Sequence, residues 1–193
     1  LRHLGADHWI GAAPSEVRSK LAVGGRAEEL ATFFSRLRPR RLVITGPPGS
    51  GKTVLATRLT LDLLSQRRPG DPVPVFLSIG SWDPTIRSYH SWLVDRLVED
   101  YPSLAFVAES NRSAAEMLVH DGRLVPVLDG LDELPQRYRA LALEQLNRSL
   151  TTNDTLVLTS RAGEYADLLR STGEDLHRAA VIELEPLALH AVV

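Results

Sequence analysis

The chain has 193 residues, of which 44% are hydrophobic and 24% are charged, a composition typical of one globular domain. It contains no cysteine, which excludes a disulfide-stapled miniprotein, and its apolar content excludes a disordered tail. The net charge of −2 supplies no global positive field for a phosphate backbone, so we expect no nucleic-acid partner for this module. Among the 22 basic residues, only Lys20 and Lys52 are lysines.

The predicted elements alternate between short apolar strands and amphipathic helices. A helix over residues 26–37 precedes a first strand over 41–45, and a helix over 52–66 follows that strand. The later strands are predicted at 73–79, 124–128, 155–159 and 179–184. The later helices are predicted at 91–100, 113–120, 136–150 and 164–170. Pro74 favours an edge position for the second strand.

Five short strands that alternate with helices predict an α/β fold, in which helices cover both faces of a parallel sheet. Functional groups of such sheets lie at the carboxyl ends of the strands. We therefore expect the chemistry in the loops after the first, third and fourth strands.

The loop after the first strand matches the phosphate-binding pattern G-x-x-x-x-G-K-[ST]. The candidate residues are Gly46, Pro47, Pro48, Gly49, Ser50, Gly51, Lys52, Thr53 and Val54. The glycines let backbone N–H groups point at phosphate oxygens, and the following helix adds its positive N-terminus. We expect the Lys52 ammonium to reach the β- and γ-phosphates and the Thr53 hydroxyl to bind Mg²⁺.

The third strand ends in Asp129, which is typical of a Walker B element whose carboxylate holds Mg²⁺ directly or through water. Gly130 follows, and the acidic pair Asp132 and Glu133 comes next in the loop. A turn at Gly130 would bring one of these carboxylates to a water in line with the γ-phosphate. The alternative for either acid is a cap on the helix that follows Pro135.

The fourth strand ends in the polar residues of LTSR, so that Arg161 stands beside the predicted phosphate site. A guanidinium pairs well with phosphate oxygens, which makes Arg161 a candidate sensor of the γ-phosphate. A solvated surface arginine is the alternative, because arginine is abundant in this chain. The basic run Arg36, Arg38, Arg40 and Arg41 is likewise interpreted as a solvated flank, with a partner contact as its alternative.

Together, GPPGSGKT, LDGLDEL and LTSR resemble the NACHT domain, a family in the STAND class of signal-transduction P-loop ATPases related to AAA+ proteins. The resemblance implies a five-stranded parallel sheet of order 5-1-4-3-2. It divides the chain into an N-terminal flank (1–22), a nucleotide-binding domain (23–190) and the start of a further helical region (191–193).

The resemblance also implies a role for each site residue. Lys52 and Thr53 would bind phosphate and Mg²⁺, and Asp129 would serve Mg²⁺. Asp132 and Glu133 would be the hydrolytic acids and Arg161 the sensor arginine. The segment with Val23, Gly24 and Arg26 looks like the V-G-R element that lies against the base in related ATPases, although a plain turn is the alternative.

The function implied is an ATP-binding and slowly hydrolysing module, with ATP or ADP and Mg²⁺ as cofactors, that switches a signalling or defence protein. Neither lysine belongs to an N-K-x-D motif, so we expect ATP rather than GTP. Helical, winged-helix and sensor domains of the same chain would be its partners, with homo-oligomers on activation. The alternatives are an AAA+ motor and a module that holds ADP without turnover.

We expect a cytoplasmic location, because the sequence has neither a signal-peptide pattern nor a long apolar run. Membrane attachment of the full-length protein stays open.

Overall fold

The computed structural model describes residues 18–21, 27–107 and 111–185, and these ranges contain one parallel β-sheet. Its six strands are β1 (Arg18–Leu21), β2 (Arg41–Gly46), β3 (Val73–Ser78), β4 (Leu124–Asp129), β5 (Leu156–Arg161) and β6 (Ala180–Leu184). They lie in the order β1-β6-β2-β5-β4-β3, and every neighbouring pair is parallel. The five predicted strands are present in the predicted order, which confirms the α/β class.

The structure adds one strand, β1, that the sequence did not predict. It pairs with β6, so that Leu21 lies beside Leu184 in the register. Its four residues, RSKL, have one apolar side chain, and therefore show neither an apolar run nor an alternating pattern. Only the pairing with β6 makes a strand of this part of the predicted flank.

Helices connect the strands within the described ranges, and their bounds lie within two residues of the predicted ones. They are α1 (Ala27–Arg36), α2 (Lys52–Ser65), α3 (Tyr89–Asp100), α4 (Ala114–His120), α5 (Gln136–Ser149) and α6 (Ala162–Thr172). The hydroxyls of Ser88 and Ser113 cap α3 and α4 by accepting backbone N–H groups. No helix in the described part of the chain is long and apolar enough to cross a membrane.

The sheet lies between two hydrophobic clusters, one on each face. Leu42 and Ile44 of β2 pack with α1 and α2, whereas Val43 belongs to the cluster on the opposite face. This alternation follows from the pleat of a strand, in which successive side chains point to opposite faces. Trp82 packs against Trp92 with ring centroids 5.8 Å apart, so the aromatic residues after β3 belong to the core. β3 itself is an edge strand, as Pro74 predicted.

Arg41, at the start of β2, corrects the interpretation of the basic run as a solvated flank. Its side chain is buried, with 3% exposure, and it donates to the backbone oxygens of Thr151, Asp154 and His177. Burial lowers the pKa of the Arg41 guanidinium. Arg41 therefore ties the loops before β5 and β6 to the amino end of the sheet.

Parallel strand direction brings all the predicted site residues of the strands to one edge. Gly46 at the end of β2 pairs with Arg161 at the end of β5, and Asp129 at the end of β4 pairs with Ser78.

Candidate functional site

The glycine-rich loop connects β2 to α2 through residues 47–51. Gly49 and Gly51 have φ angles of +71° and +84°, a region that favours glycine. A Cβ at Gly46 would approach the Ser50 Oγ to 2.6 Å and the Cβ of Leu184 to 3.0 Å. Glycine at these positions therefore permits both the curl of the loop and its close packing on β6.

α2 begins at Lys52, and its N-cap residue Gly51 makes no side-chain capping bond. The backbone N–H groups of its first turn have no intrahelical acceptors, so this end of α2 carries positive potential. The Lys52 Nζ donates to the backbone oxygens of Gly46 and Pro47, at 3.1 and 2.9 Å. The ammonium thus lies over the loop, beside a helix end that favours anions. Val54, in the same turn, is 72% exposed.

Thr53 and Asp129 are in direct contact at the carboxyl edge. The Thr53 hydroxyl donates to Asp129 Oδ2 at 2.9 Å, and the Thr159 hydroxyl donates to Asp129 Oδ1 at 2.6 Å. The backbone N–H of Gly130 donates in turn to Thr159 Oγ1 at 2.8 Å. Hydrogen bonds therefore fix both oxygens of a mostly buried carboxylate. The structure thus brings together the two residues that the sequence predicts as Mg²⁺ ligands, Thr53 and Asp129.

The acidic pair lies in a short 3₁₀ turn, Leu131–Glu133, that follows Gly130. Gly130 has a φ of +83°, so the chain turns where the sequence predicted. Glu133 is exposed, and its Oε2 accepts from Ser78 Oγ at the long distance of 3.4 Å. α5 begins without a side-chain capping bond, so neither acid is the helix cap considered as an alternative.

Asp132 and Arg161 form an ion pair across the edge of the sheet. Arg161 Nε lies 2.9 Å from Asp132 Oδ2, and the Arg161 backbone N–H donates to Asp132 Oδ1 at 3.0 Å. Arg161 Nη1 lies 3.7 Å from Glu164 Oε1. The Arg161 side chain is 49% exposed but held by Asp132, so it is not a freely solvated surface arginine.

A cavity of about 510 Å³ opens beside the glycine-rich loop, a volume in the range of small-molecule sites. It is lined by residues 47–48, 161–164 and 183–185. β1 ends at Leu21, whose register partner Leu184 is one of the lining residues, so β1 also ends beside this cavity. Val23, Gly24 and Arg26, the predicted adenine-side residues, lie outside the described residues.

The sequence model described as the NACHT domain matches residues 40–192, which is most of the chain. The chain belongs to the NACHT family. Its P-loop NTPase fold supports nucleotide binding. No curated protein matches the sequence significantly.

Solved structures similar to this NACHT domain share little sequence with it. PCH-2 of C. elegans is 22% identical over 84% of this chain and 41% of its own, with a TM-score of 0.43. The Aeropyrum pernix ORC1 protein, solved with DNA, is 20% identical over 81% and 42%, also at 0.43. NtrX from Brucella abortus, solved with ATP, is 20% identical over 90% and 38%, at 0.41. This chain thus spans about two fifths of their length.

Three polar residues of the NACHT site were not predicted. Thr159, which holds Asp129, was recognised only as part of a polar strand end. Ser78 ends β3, whose following loop was not among those expected to carry chemistry, although the strand-end rule applies to it equally. Arg139 Nη2 and Nε donate to the backbone oxygens of Asp132 and Leu134, at 2.6 and 2.9 Å. Arg139 lies only five and seven residues along the chain from its two acceptors, but an arginine in the first turn of a helix is not by itself a signal of such contacts.

Proposed function

We propose that this NACHT domain binds ATP or ADP with Mg²⁺, hydrolyses ATP slowly and acts as a nucleotide-dependent switch in a larger signalling or defence protein. The observation that carries the proposal is the 2.9 Å contact between Thr53 and Asp129, directly beside the glycine-rich loop and the uncapped end of α2. The positive helix end is then available to a phosphate group, and the hydroxyl and the carboxylate are available to the Mg²⁺ that accompanies it.

The donor set fits Mg²⁺, because this ion prefers oxygen ligands and is usually held by one or two carboxylates together with substrate phosphates. Thr53 and Asp129 would hold it. When bound, the ion neutralises charge on the phosphate oxygens. Thr159 would keep the Asp129 carboxylate oriented, since its hydroxyl already bonds one of the two oxygens.

The remaining groups divide between binding and hydrolysis. The Lys52 ammonium would exchange its two loop carbonyls for phosphate oxygens, which are stronger acceptors because they are charged. An acid from the pair Asp132 and Glu133 would serve the hydrolytic step, and Arg161 would contact the γ-phosphate. The cavity beside the loop would take the nucleoside, next to the point where β1 ends.

A switch needs only slow turnover, because ATP and ADP act by stabilising different arrangements of the whole protein. An AAA+ motor would instead need fast turnover in a nucleotide-dependent ring, and a module that only holds ADP would show no turnover. The turnover rate and the size of the particle with nucleotide therefore separate the three functions.

The binding test uses calorimetry with MgADP on the wild type and on Lys52→Ala. We expect the substitution to weaken binding by about 30-fold or more, the equivalent of one charge-assisted contact. Arg36→Ala, at an exposed position of α1, is the matched loss of one positive charge and should bind like the wild type. Equal affinities for the wild type and Lys52→Ala would refute the phosphate site.

The hydrolysis test measures single-turnover cleavage of ATP with the protein in excess. Glu133→Gln should slow cleavage by about 100-fold or more, the usual contribution of a general base. Glu144→Gln, on the exposed side of α5, is the matched control. An unchanged rate in Glu133→Gln would remove the hydrolytic role of Glu133 while leaving nucleotide binding in place.

A further inference from the structure

The two acids of the turn have different surroundings, although the sequence places them side by side. The Asp132 side chain is 9% exposed, and each of its oxygens accepts one N–H of Arg161. Glu133 is exposed, and it accepts a long hydrogen bond of 3.4 Å from Ser78 Oγ. Asp132 would have to break its ion pair before it could orient a water, whereas Glu133 would not.

Asp132 is also held by its backbone. Arg139 donates from Nη2 to the Asp132 carbonyl oxygen and from Nε to that of Leu134. This fork fixes the 3₁₀ turn to α5, so the Asp132 carboxylate meets Arg161 at a set position. Asp132 is therefore placed to hold Arg161 in position rather than to move as a general base.

The ion pair engages the Nε edge of the Arg161 guanidinium, and Arg161 also lines the cavity beside the glycine-rich loop. Asp132 accepts from Nε, Nη1 lies 3.7 Å from Glu164 Oε1, and the cavity lining also includes Pro47 and Pro48 of the glycine-rich loop. A guanidinium fixed through Nε keeps its two terminal nitrogens available to a planar or tetrahedral oxyanion.

We propose that Asp132 is a positioning residue that aims Arg161 at the terminal phosphate, and that it sets the preference for ATP over ADP rather than the hydrolytic step. The inference rests on the proposed function, since it requires a nucleotide in the glycine-rich loop. Glu133 is then the acid that serves hydrolysis. The two neighbouring carboxylates separate recognition of the γ-phosphate from its cleavage.

The experiment compares the affinities for ATPγS and ADP, each with Mg²⁺, by calorimetry. The variants are Asp132→Asn, Arg161→Gln and the double substitution. Asparagine keeps an acceptor for the Arg161 backbone N–H but loses the charged partner of Nε. We expect each single variant to reduce the ATPγS-to-ADP affinity ratio by about tenfold or more, the lower end of the range for one charge-assisted hydrogen bond. The double variant should reduce it no further, because both changes remove one interaction.

Three variants supply controls. Asp167→Asn removes an exposed acid that pairs with Arg170 on the same helix and should keep the wild-type ratio. Glu133→Gln should keep the ratio and lose cleavage. Arg161→Lys keeps the positive charge but has no Nε that could donate to Asp132, so its ATPγS-to-ADP affinity ratio should also fall. This variant tests the Asp132–Arg161 ion pair if Asp132→Asn fails to fold.

Two results overturn the inference and leave the proposed function intact. The first is an ATPγS-to-ADP affinity ratio that stays at the wild-type value in Asp132→Asn but falls in Arg161→Gln. The second is a wild type that binds ATPγS and ADP with equal affinity. Loss of cleavage in Asp132→Asn as complete as in Glu133→Gln, at a wild-type ratio, would identify Asp132 as a hydrolytic acid instead. A wild type that binds neither nucleotide would refute the proposed function itself.

Discussion

Replacement of Gly130 by alanine tests whether Glu133 acts from the position that the turn gives it. Gly130 has a φ of +83°, and a Cβ there would lie 2.6 Å from Glu133 Cδ and 2.8 Å from Cγ. The Glu133 carboxylate would have to retreat by about 0.8 Å to reach ordinary contact at 3.4 Å. Glu133 is exposed and has room to move, so the substitution displaces the acid without unfolding the turn.

The expected magnitudes separate stability from catalysis. A left-handed φ costs an alanine about 1–2 kcal/mol relative to glycine, which lowers the melting temperature of a chain of this size by roughly 2–8 °C. A displacement near 1 Å in a reacting geometry costs up to about 100-fold in rate. We therefore expect Gly130→Ala to melt slightly earlier and to cleave ATP about 10- to 100-fold more slowly.

Gly173→Ala is the matched control. Gly173 has a φ of +73°, but a Cβ at this position would meet nothing within 4 Å. Gly173→Ala should therefore lower the melting temperature about as much as Gly130→Ala does, while it cleaves ATP in a single turnover at the wild-type rate. A wild-type rate in Gly130→Ala would refute the position assigned to Glu133. Equal rate losses in both variants would attribute the effect to backbone strain.

Three further predictions concern the framework. Arg41→Met removes three hydrogen bonds to backbone oxygens, so it should lower the free energy of unfolding by about 2–4 kcal/mol in thermal unfolding. The exposed control Arg36→Met should change little. Equal melting temperatures for the two variants would refute the role of Arg41. Thr159→Val leaves Asp129 Oδ1 and the Gly130 N–H without their partner, so the free energy of unfolding should fall by about 2–4 kcal/mol in chemical denaturation. Thr159→Ser should restore the lost stability, and a wild-type midpoint in Thr159→Val would contradict this prediction. Ser113→Ala removes the N-cap of α4 and should cost about 1 kcal/mol in the same assay, an expectation that an unchanged midpoint would overturn.

The phosphate-binding loop could be predicted from the sequence because its geometry is local. Three signals lie within about 25 consecutive residues: the glycine spacing of the loop, the apolar run before the loop and the helical pattern after it. Each of them strongly favours one backbone conformation. The same holds for the turn at Gly130, where only glycine takes the observed φ without strain. The parallel arrangement then brought Asp129 and Arg161 to the edge where the loop lies.

The tertiary structure decided which of these groups touch and which are free. Arg41 and Arg36 belong to one basic run, yet one is buried and the other exposed, because only Arg41 begins a central strand. β1 exists because β6 offers it an unpaired edge, not because RSKL favours a strand. Such contacts depend on the register between segments that are distant in the sequence. Composition and periodicity do not specify that register.

For the acids, the sequence determined that two carboxylates follow Gly130, and only the fold gave them different surroundings. Asp132 pairs with a residue 29 positions away, at the end of the neighbouring strand, while Glu133 faces solvent. The physical reason is the turn: successive side chains in a 3₁₀ segment point about 120° apart, so adjacent acids cannot share one environment.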